Sequence, residues 1–422
     1  MGLKNSIVLM GAATAIRLGA GLITFSVLAR LLGPESFGVL MLWFSVSVLI
    51  SLITNYGLTP YVLKEVGVNP DSAESITNEG LTGKLLLTAI VFSCCSVAVW
   101  WLEIELRQVF LCLLVSTVAD SFTEFFNAVF RARGRYDIEA RIALTTSILH
   151  ATIVVSTVFM YPTVEHAAAA FSISRLTILI ITVQAGACNF GPIKLAQVGV
   201  SIARLRKATG YAVDFGFQSL FGQIDSVVLN YFLGSVAVGL YQAGMRFFQS
   251  GAQAAGVLSN VFLPRAAAAN KASRNTFTEE SQLVQIAFIL IGFCFGLMMA
   301  AFPQLIINFL FGDSYNRLIE LMPFFGLLFF LRFSAGAWGV VLTSAGEQAY
   351  RAKLGFLYWL VILILAGWLV PMLGIQGWLI SLCIGTVLLI IGYGIRCSNY
   401  LNRFWGISGL SLVGGVFFLP FI

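Results

Sequence analysis

The chain has 422 residues, of which 59% are hydrophobic and 10% are charged. Soluble domains average roughly 45–50% apolar and about 25% charged residues, so no water-soluble fold could cover this much apolar surface. The net charge of +6 arises from 25 basic and 19 acidic side chains, and we assign it to membrane topology rather than to a nucleic-acid partner. The composition predicts an all-α integral membrane protein.

Apolar runs of about 20 residues, the length that a helix needs to cross the hydrocarbon core, recur along the chain. The sequence predicts twelve spans, at 6–30, 38–62, 84–102, 107–130, 142–161, 165–187, 209–233, 238–263, 284–303, 320–343, 354–373 and 375–395. The first run is long enough to be a span rather than a cleaved signal peptide. A thirteenth apolar stretch, 404–422, is left open as a span, an interfacial segment or part of a helix.

The longest basic connection follows the sixth predicted span and suggests a division into two halves. Part of it, 193–207, is suited to a helix on the membrane surface. The predicted organisation is an N-terminal six-helix lobe over 1–190, a cytoplasmic linker over 191–208, a C-terminal six-helix lobe over 209–396 and a C-terminal apolar segment over 397–422.

Two short pairings support an internal repeat. Residues 32–38 align with 233–239 at an offset of 201 residues with three identities, and 130–134 align with 342–346 at an offset of 212. Parallel repeats of this kind place the substrate of many transporters between their halves. The sequence therefore predicts two lobes related by a pseudo-two-fold repeat around a central cavity.

The basic residues of the connections are distributed unequally between the two sides of the membrane. If the N-terminus is cytoplasmic, only Arg30, Arg107 and Arg317 lie outside, and nearly all the others lie inside. This is the positive-inside pattern, and it predicts a multi-pass protein with its N-terminus in the cytoplasm.

Four arginines lie within predicted spans, namely Arg17, Arg175, Arg246 and Arg332. Each would cost at least about 2.5 kcal/mol facing lipid near a helix centre, so each should face the bundle interior or a water-filled cavity. Guanidinium groups pair well with phosphate oxygens, which suits a polyanionic substrate such as a pyrophosphate. The alternative is that buried carboxylates neutralise them, as Asp225 would do for Arg246.

Polar side chains also form stripes, because they recur at helical spacing within two predicted spans. The eighth span carries Gln242, Arg246, Gln249, Gln253 and Asn260 on one face, and the fourth carries Thr117, Asp120, Glu124, Asn127 and Arg131. Asp120 and Glu124 lie one turn apart, so one could hold a proton or both could bind a cation, with structural ion pairs as the alternative.

The sequence contains no motif for enzymatic chemistry in a suitable context, whether Walker P-loop, nucleophile elbow, HExxH or dinucleotide-binding glycines. The seven cysteines and two histidines lack metal-ligand spacing. We therefore expect no enzyme activity, no metal and no cofactor.

Residues 28–38, LARLLGPESFG, and the later 223–226, 233–234 and 238–241 carry a family resemblance. The chain resembles the polysaccharide-transport branch of the multidrug, oligosaccharidyl-lipid and polysaccharide exporter superfamily, which includes O-antigen flippases of the Wzx type. The resemblance implies two lobes around a cationic cavity and alternating access. It also implies an undecaprenyl-pyrophosphate-linked oligosaccharide as substrate, such as the O-antigen repeat of lipopolysaccharide, carried across a bacterial inner membrane.

The resemblance implies roles for particular residues. Arginines in matching helices of related flippases are thought to hold the pyrophosphate, which would assign that role to Arg17, Arg246 and Arg332. Arg175 and the amides of the eighth span are further candidates for substrate contact. The sequence leaves the driving force of transport open. Transport could be driven by the membrane potential alone, or it could be coupled to protons or sodium ions through Asp120, Glu124 or Asp225.

The expected partners are the lipid-linked oligosaccharide and membrane lipids, and we expect a monomer that binds no nucleic acid. A polysaccharide polymerase and a chain-length regulator are implied only by the family. The alternative function is a multidrug or small-solute exporter of the same superfamily.

Overall fold

The computed structural model describes residues 3–191, 194–220, 222–401 and 414–422, with the side chains of nearly all of them from Gly19 onward. All regular structure in these ranges is helical. The helices are α1 (Leu3–Asn55), α2 (Leu58–Val68), α3 (Ala73–Ala98), α4 (Ile104–Ala132), α5 (Tyr136–Met160), α6 (Val164–Phe190), α7 (Val198–Leu220), α8 (Ile224–Leu233), α9 (Ser235–Ala272), α10 (Arg274–Ala301), α11 (Pro303–Leu310), α12 (Asn316–Ile319), α13 (Met322–Ser344), α14 (Gln348–Leu373) and α15 (Ile375–Cys397).

Within the described ranges, nine helices are long and apolar enough to cross a membrane. The first of them, Gly19–Val68, breaks at Gly33 and contains two predicted spans, so ten of the twelve predicted spans coincide with apolar helices. The chain is therefore a multi-pass membrane protein. Predicted span seven coincides with α7 and with α8, an apolar helix of only ten residues, and predicted span eight coincides with α9.

The predicted seventh span, 209–233, is not one continuous helix. Helix α7 ends at Leu220 and α8 begins at Ile224, with a turn at Gly222 and Gln223 between them. The run of mostly apolar residues continues on both sides of this turn, so hydropathy did not reveal the break. The eighth span coincides with α9, where the polar stripe lowers the hydropathy.

The first predicted pairing, 32–38 with 233–239, contains two glycines that share an uncommon backbone conformation. Gly33 divides α1 into two helices with φ 76° and ψ 170°, and Gly234 precedes α9 with φ 80° and ψ −178°. This backbone region is essentially restricted to glycine, because a Cβ atom would clash with the neighbouring peptide groups. Both positions of the pairing therefore have the same uncommon conformation.

The two segments of the second predicted pairing, 130–134 and 342–346, also share a backbone conformation, at the ends of α4 and α13. After α4, the amide of Arg135 donates to the carbonyl of Phe130 at 2.9 Å, and Gly134 has φ 70°. After α13, the amide of Glu347 donates to the carbonyl of Leu342 at 2.9 Å, and Gly346 has φ 84°. Both helices thus end in a Schellman motif with a left-handed glycine.

The described residues fall into two compact units, Met1–Asn230 and Tyr231–Ile422. In the first unit, α4 packs against α6 and α1, α1 packs against α5, and α2 packs against α4. In the second, α10 packs against α13, α14 against α15, and α13 against α15 and α9.

The predicted boundaries of the lobes and linker remain predictions, but the helices around the linker are described. Helix α7 begins inside the predicted linker and packs against α3 of the first unit. Arg204 of α7 forms an ion pair with Glu79 at 2.5 Å and donates to the hydroxyl of Tyr61 at 3.2 Å. Of the thirteenth apolar stretch, 404–413 lies outside the described residues, and Phe418 is buried against Phe330 of α13.

Candidate functional site

A polar cavity of about 290 Å³ lies within the first unit, between α1, α4, α5 and α6. A second cavity, of about 330 Å³, adjoins it and reaches α7. The charged residues Asp120, Glu124 and Arg175 line both cavities. The polar stripe predicted on the fourth span therefore borders these cavities within the first unit.

Packing of α4 against α6 gives Asp120 an arginine partner. Nη1 of Arg175 donates to Oδ1 of Asp120 at 2.7 Å, and 54% of the Asp120 side chain remains exposed. The mid-span arginine of α6 thus has an oppositely charged partner on α4. This geometry matches the alternative in which the arginine links two helices.

Glu124 belongs to a second ion-pair network, which extends to the end of α4. Nη2 of Arg131 lies 2.5 Å from Oε1 of Glu124, and Nη1 lies 2.7 Å from Oε1 of Glu139 on α5. Asn127 adds a longer contact of 3.5 Å to Glu124. Arg131 therefore joins two carboxylates and links α4 to α5.

Lys84 is the residue that sequence reasoning placed wrongly. We expected it at the cytoplasmic edge of the third span, but α3 begins at Ala73, so Lys84 is its twelfth residue and has 0% exposure. Its ammonium donates to Oγ of Ser121 at 2.6 Å and lies 3.5 Å from the carbonyl oxygen of Thr54. The residues before Lys84 are largely polar, so the sequence predicted a connection there. The structure shows that these residues belong to α3.

His150 of α5 also lines the first cavity, although no pattern in the sequence selected it. Its Nδ1 atom lies 2.8 Å from Oγ of Ser174, and its ring packs edge-on against Phe171. Among the described residues, no group of three His, Cys, Asp or Glu side chains could hold a metal ion.

The polar stripe of the second unit lies on α9 and changes its exposure along the helix. Gln242 is buried and Arg246 is half-buried, whereas Gln249, Gln253 and Asn260 are exposed. One helical face thus runs from the protein interior to accessible surface.

Most residues of α13 are buried, but Arg332 is exposed. It is the eleventh of 23 residues and its side chain is exposed. Nη1 of Arg332 donates to the hydroxyl of Tyr358 at 3.2 Å, and the guanidinium lies 5.7 Å from the centre of that ring.

The remaining predicted residues occupy different settings. The backbone of Arg17 lies in α1, but its side chain is outside the described part of the chain. Asp225 of α8 is buried, and its carboxylate accepts a hydrogen bond of 2.7 Å from the amide of Ser226. The predicted pairing of Asp225 with Arg246 stays a prediction.

A family model for polysaccharide biosynthesis proteins matches residues 3–269. The chain belongs to this family. Among proteins with curated functions, none gives a significant sequence match.

Solved structures of similar fold cover nearly the whole chain. The lipid II flippase MurJ, in an inward closed conformation, has a TM-score of 0.73 at 12% identity over 98% of this chain and 92% of that one. An inward-facing multidrug resistance MATE family transporter of the MOP superfamily has a TM-score of 0.69 at 16% identity over 94% and 98%. A MOP superfamily transporter from Pyrococcus furiosus, whose binding pocket is described as having reverse polarity, has a TM-score of 0.63 at 16% identity over 96% of each chain.

These likenesses establish the fold alone, because the identities are low. They confirm the predicted fold class, an all-α membrane protein with two repeat-related lobes. Together with the family match, they also confirm the resemblance to the exporter superfamily.

Proposed function

We propose that the protein is a flippase for an undecaprenyl-pyrophosphate-linked oligosaccharide, such as an O-antigen repeat unit. It would carry the head group from the cytoplasmic to the periplasmic face of a bacterial inner membrane by alternating access. Membership of the polysaccharide biosynthesis family and the fold shared with a lipid II flippase support this proposal.

Arg332 is the observation that carries the proposal. Within the part of the chain whose side chains are described, no carboxylate lies within ion-pair distance of Arg332, and its hydrogen bond goes to neutral Tyr358. A guanidinium has five N–H donors, so several remain available to a ligand. An exposed, mid-span arginine in this setting favours an anionic substrate such as a pyrophosphate.

The polar stripe of α9 supplies the rest of the proposed binding surface. The side-chain amides of Gln249, Gln253 and Asn260 are exposed and can both donate to and accept from sugar hydroxyls. Arg246 and Arg17 are proposed to contact the pyrophosphate, and the lipid tail stays among the membrane lipids. We propose that the protein acts as a monomer, with a polymerase and a chain-length regulator acting on the exported units.

The driving force is proposed to be the membrane potential, a proton or a sodium ion. An inside-negative potential favours export of an anion by about 2.3 kcal/mol per charge per 100 mV. Ion coupling would use Asp120, Glu124 or Asp225, of which the first two already have arginine partners.

The decisive experiment measures lipid-linked oligosaccharide on each face of the inner membrane in cells that carry the wild-type protein, no protein, or Arg332→Ala. Deletion should cause accumulation on the cytoplasmic face. Arg332→Ala should slow export at least about tenfold, because loss of one partner of a desolvated charged contact costs about 2–5 kcal/mol. Arg17→Ala and Arg246→Ala test the same role.

Arg317→Ala is the matched control, because Arg317 is exposed on the short helix α12 outside the spanning helices. This variant should export normally at equal abundance. Unchanged oligosaccharide distribution in deletion cells without a redundant flippase would refute the proposal. Equal effects of Arg332→Ala and Arg317→Ala would refute the role of Arg332.

The MATE likeness favours a multidrug or small-solute exporter as the second candidate. Efflux of cationic dyes from cells with and without the protein distinguishes the two functions. Dye export together with normal oligosaccharide distribution would support the exporter.

A further inference from the structure

Tyr358, the neutral partner of Arg332, is itself fixed by the packing of α14 on α15. Its side chain is 6% exposed. A Cβ atom added at Gly385 of α15 would lie 3.2 Å from Cε2 of Tyr358 and 2.8 Å from Cγ1 of Ile362, one turn further along α14. The glycine therefore lets the aromatic ring pack closely against α15, and close packing confines the ring.

Arg332 lies where one face of α13 passes from one neighbouring helix to another. Phe329, Arg332 and Thr343 share this face, because they are separated by whole turns of the helix. The ring of Phe329 packs against α9, whereas Thr343 accepts a hydrogen bond from Arg351 of α14. Arg332 lies between these two contacts, and its hydrogen bond to Tyr358 directs the guanidinium toward α14.

The Tyr358 hydroxyl holds Arg332 without cancelling its charge. Nη1 of Arg332 donates to this hydroxyl at 3.2 Å, and the aromatic ring attracts the guanidinium, which lies 5.7 Å from the ring centre. In the first unit, by contrast, Arg175 is paired with the carboxylate of Asp120. A neutral acceptor uses one of the five N–H donors and leaves the positive charge and the other donors to a ligand.

We infer that Tyr358 is a positioning residue, which orients the guanidinium of Arg332 toward a phosphate oxygen of the lipid-linked substrate. The inference rests on the proposed function, because that function assigns Arg332 to the pyrophosphate. An arginine side chain has many rotamers, and a ligand that must first order it binds less tightly. The contacts with Tyr358 order the side chain before the ligand arrives. Their loss should therefore weaken pyrophosphate binding although the charge remains.

The test measures binding of farnesyl pyrophosphate, a short-chain lipid pyrophosphate, to the purified full-length protein in detergent. Farnesol, which has the same chain and no phosphate, is the reference ligand. Tyr358→Phe keeps the ring and removes the hydroxyl, so the fold should be retained, and thermal unfolding checks this. The variant should bind farnesyl pyrophosphate about three- to tenfold more weakly than wild type, the expected cost of ordering one side chain on binding. Its affinity for farnesol should be unchanged.

Tyr350→Phe is the matched control, because Tyr350 belongs to the same helix and also lies near a guanidinium. Its hydroxyl donates to the carbonyl of Gly392 at 3.1 Å, and its ring centre lies 5.4 Å from the guanidinium of Arg396. This variant should bind farnesyl pyrophosphate as wild type does.

A double-variant comparison separates positioning from a general effect on packing. Arg332→Ala should weaken pyrophosphate binding on its own. If Tyr358 acts through Arg332, the addition of Tyr358→Phe to Arg332→Ala should cause little further loss. A purely structural effect would instead reduce the affinity by the same factor in both backgrounds.

Equal affinities of Tyr358→Phe and Tyr350→Phe, together with weaker binding by Arg332→Ala, would overturn the positioning role and leave the proposed function standing. The same loss from Tyr358→Phe in both backgrounds would also overturn it. If Arg332→Ala binds farnesyl pyrophosphate as wild type does, the roles of Arg332 and Tyr358 are both wrong. If the wild type binds farnesyl pyrophosphate no more tightly than farnesol, the anion site of the proposed function is refuted as well.

Discussion

At the scale of single residues, Glu347 shows how one carboxylate can connect two segments. It follows α13, and its Oε1 atom accepts hydrogen bonds from Nη2 of Arg396 at 2.7 Å and from the hydroxyl of Tyr400. These two donors, together with the positive charge of Arg396, lower the pKa of Glu347 below its usual 4.5. The same hydroxyl bond raises the pKa of Tyr400.

The lowered pKa predicts a pH dependence of stability. A carboxylate whose pKa falls on folding stabilises the protein above its unfolded-state pKa and loses that effect as the pH falls through the folded-state pKa. Glu347→Gln should therefore lower the Tm relative to wild type at about pH 7, and this difference should shrink as the pH falls below about 4.5. Parallel melting curves of the two proteins at about pH 7 and at several pH values below about 4.5 measure the difference.

The control for this prediction is Glu320→Gln, since Glu320 is an exposed carboxylate of the same unit. Its Tm should follow that of wild type at every pH. A Tm difference for Glu347→Gln that stays constant or grows on acidification would contradict the role assigned to the carboxylate.

At the scale of elements, a very close helix contact in the second unit depends on two glycines. A Cβ atom at Gly326 of α13 would lie 2.4 Å from the carbonyl oxygen of Gly296 on α10, and one at Gly296 would lie 2.6 Å from that of Gly326. Small residues allow membrane helices to approach this closely, so that their backbones pack directly. Rotation of a side chain cannot relieve such a contact.

Gly326→Ala should therefore destabilise the protein by about 1–3 kcal/mol through overpacking. Gly355→Ala is the matched control, because Gly355 lies inside α14 with no atom within 4 Å of an added Cβ. This control should be neutral or slightly stabilising. Thermal unfolding of both variants checks the prediction, and equal stabilities would rule out the close contact.

The ends of α4 and α13 have the same backbone geometry but different side-chain chemistry. Arg131 of α4 pairs with Glu139 of α5, whereas Thr343 of α13 accepts a hydrogen bond from Arg351 of α14. Each contact joins residues eight apart, at positions that correspond under the offset of 212. The guanidinium thus lies on the first helix in one unit and on the second helix in the other.

At the scale of the whole molecule, the two units repeat one backbone feature at Gly33 and Gly234. Both glycines have φ near +80° with extended ψ, and neither has an atom within 4 Å of an added Cβ. A side chain at either position would therefore be disfavoured by backbone strain and not by crowding.

Gly33→Ala and Gly234→Ala should each destabilise the protein by about 1–3 kcal/mol. Gly67→Ala is the control, because Gly67 is helical in α2 and also has open space around it. Thermal unfolding of the three variants tests the prediction. A large effect of only one of the two variants would argue that the paired glycines are not structurally equivalent.

The sequence by itself determined the class of the molecule and much of its organisation. An apolar fraction of 59% and recurrent apolar runs require membrane-spanning helices, because unpaired backbone groups are too costly in hydrocarbon. The matched segments also predicted the repeat, since the glycines at these breaks and helix ends impose a local conformation. The polar stripe of the fourth span was visible because helical periodicity is local.

Only the tertiary structure decided which charges meet. Arg175 lies 55 residues from Asp120, and the packing of α4 on α6 brings them to 2.7 Å. The polar residues before Lys84 belong to α3, so Lys84 lies inside this helix and not at its start, and its partner Ser121 lies on α4. Such pairings depend on the rotation and register of packed helices, which hydropathy and spacing along one chain do not encode.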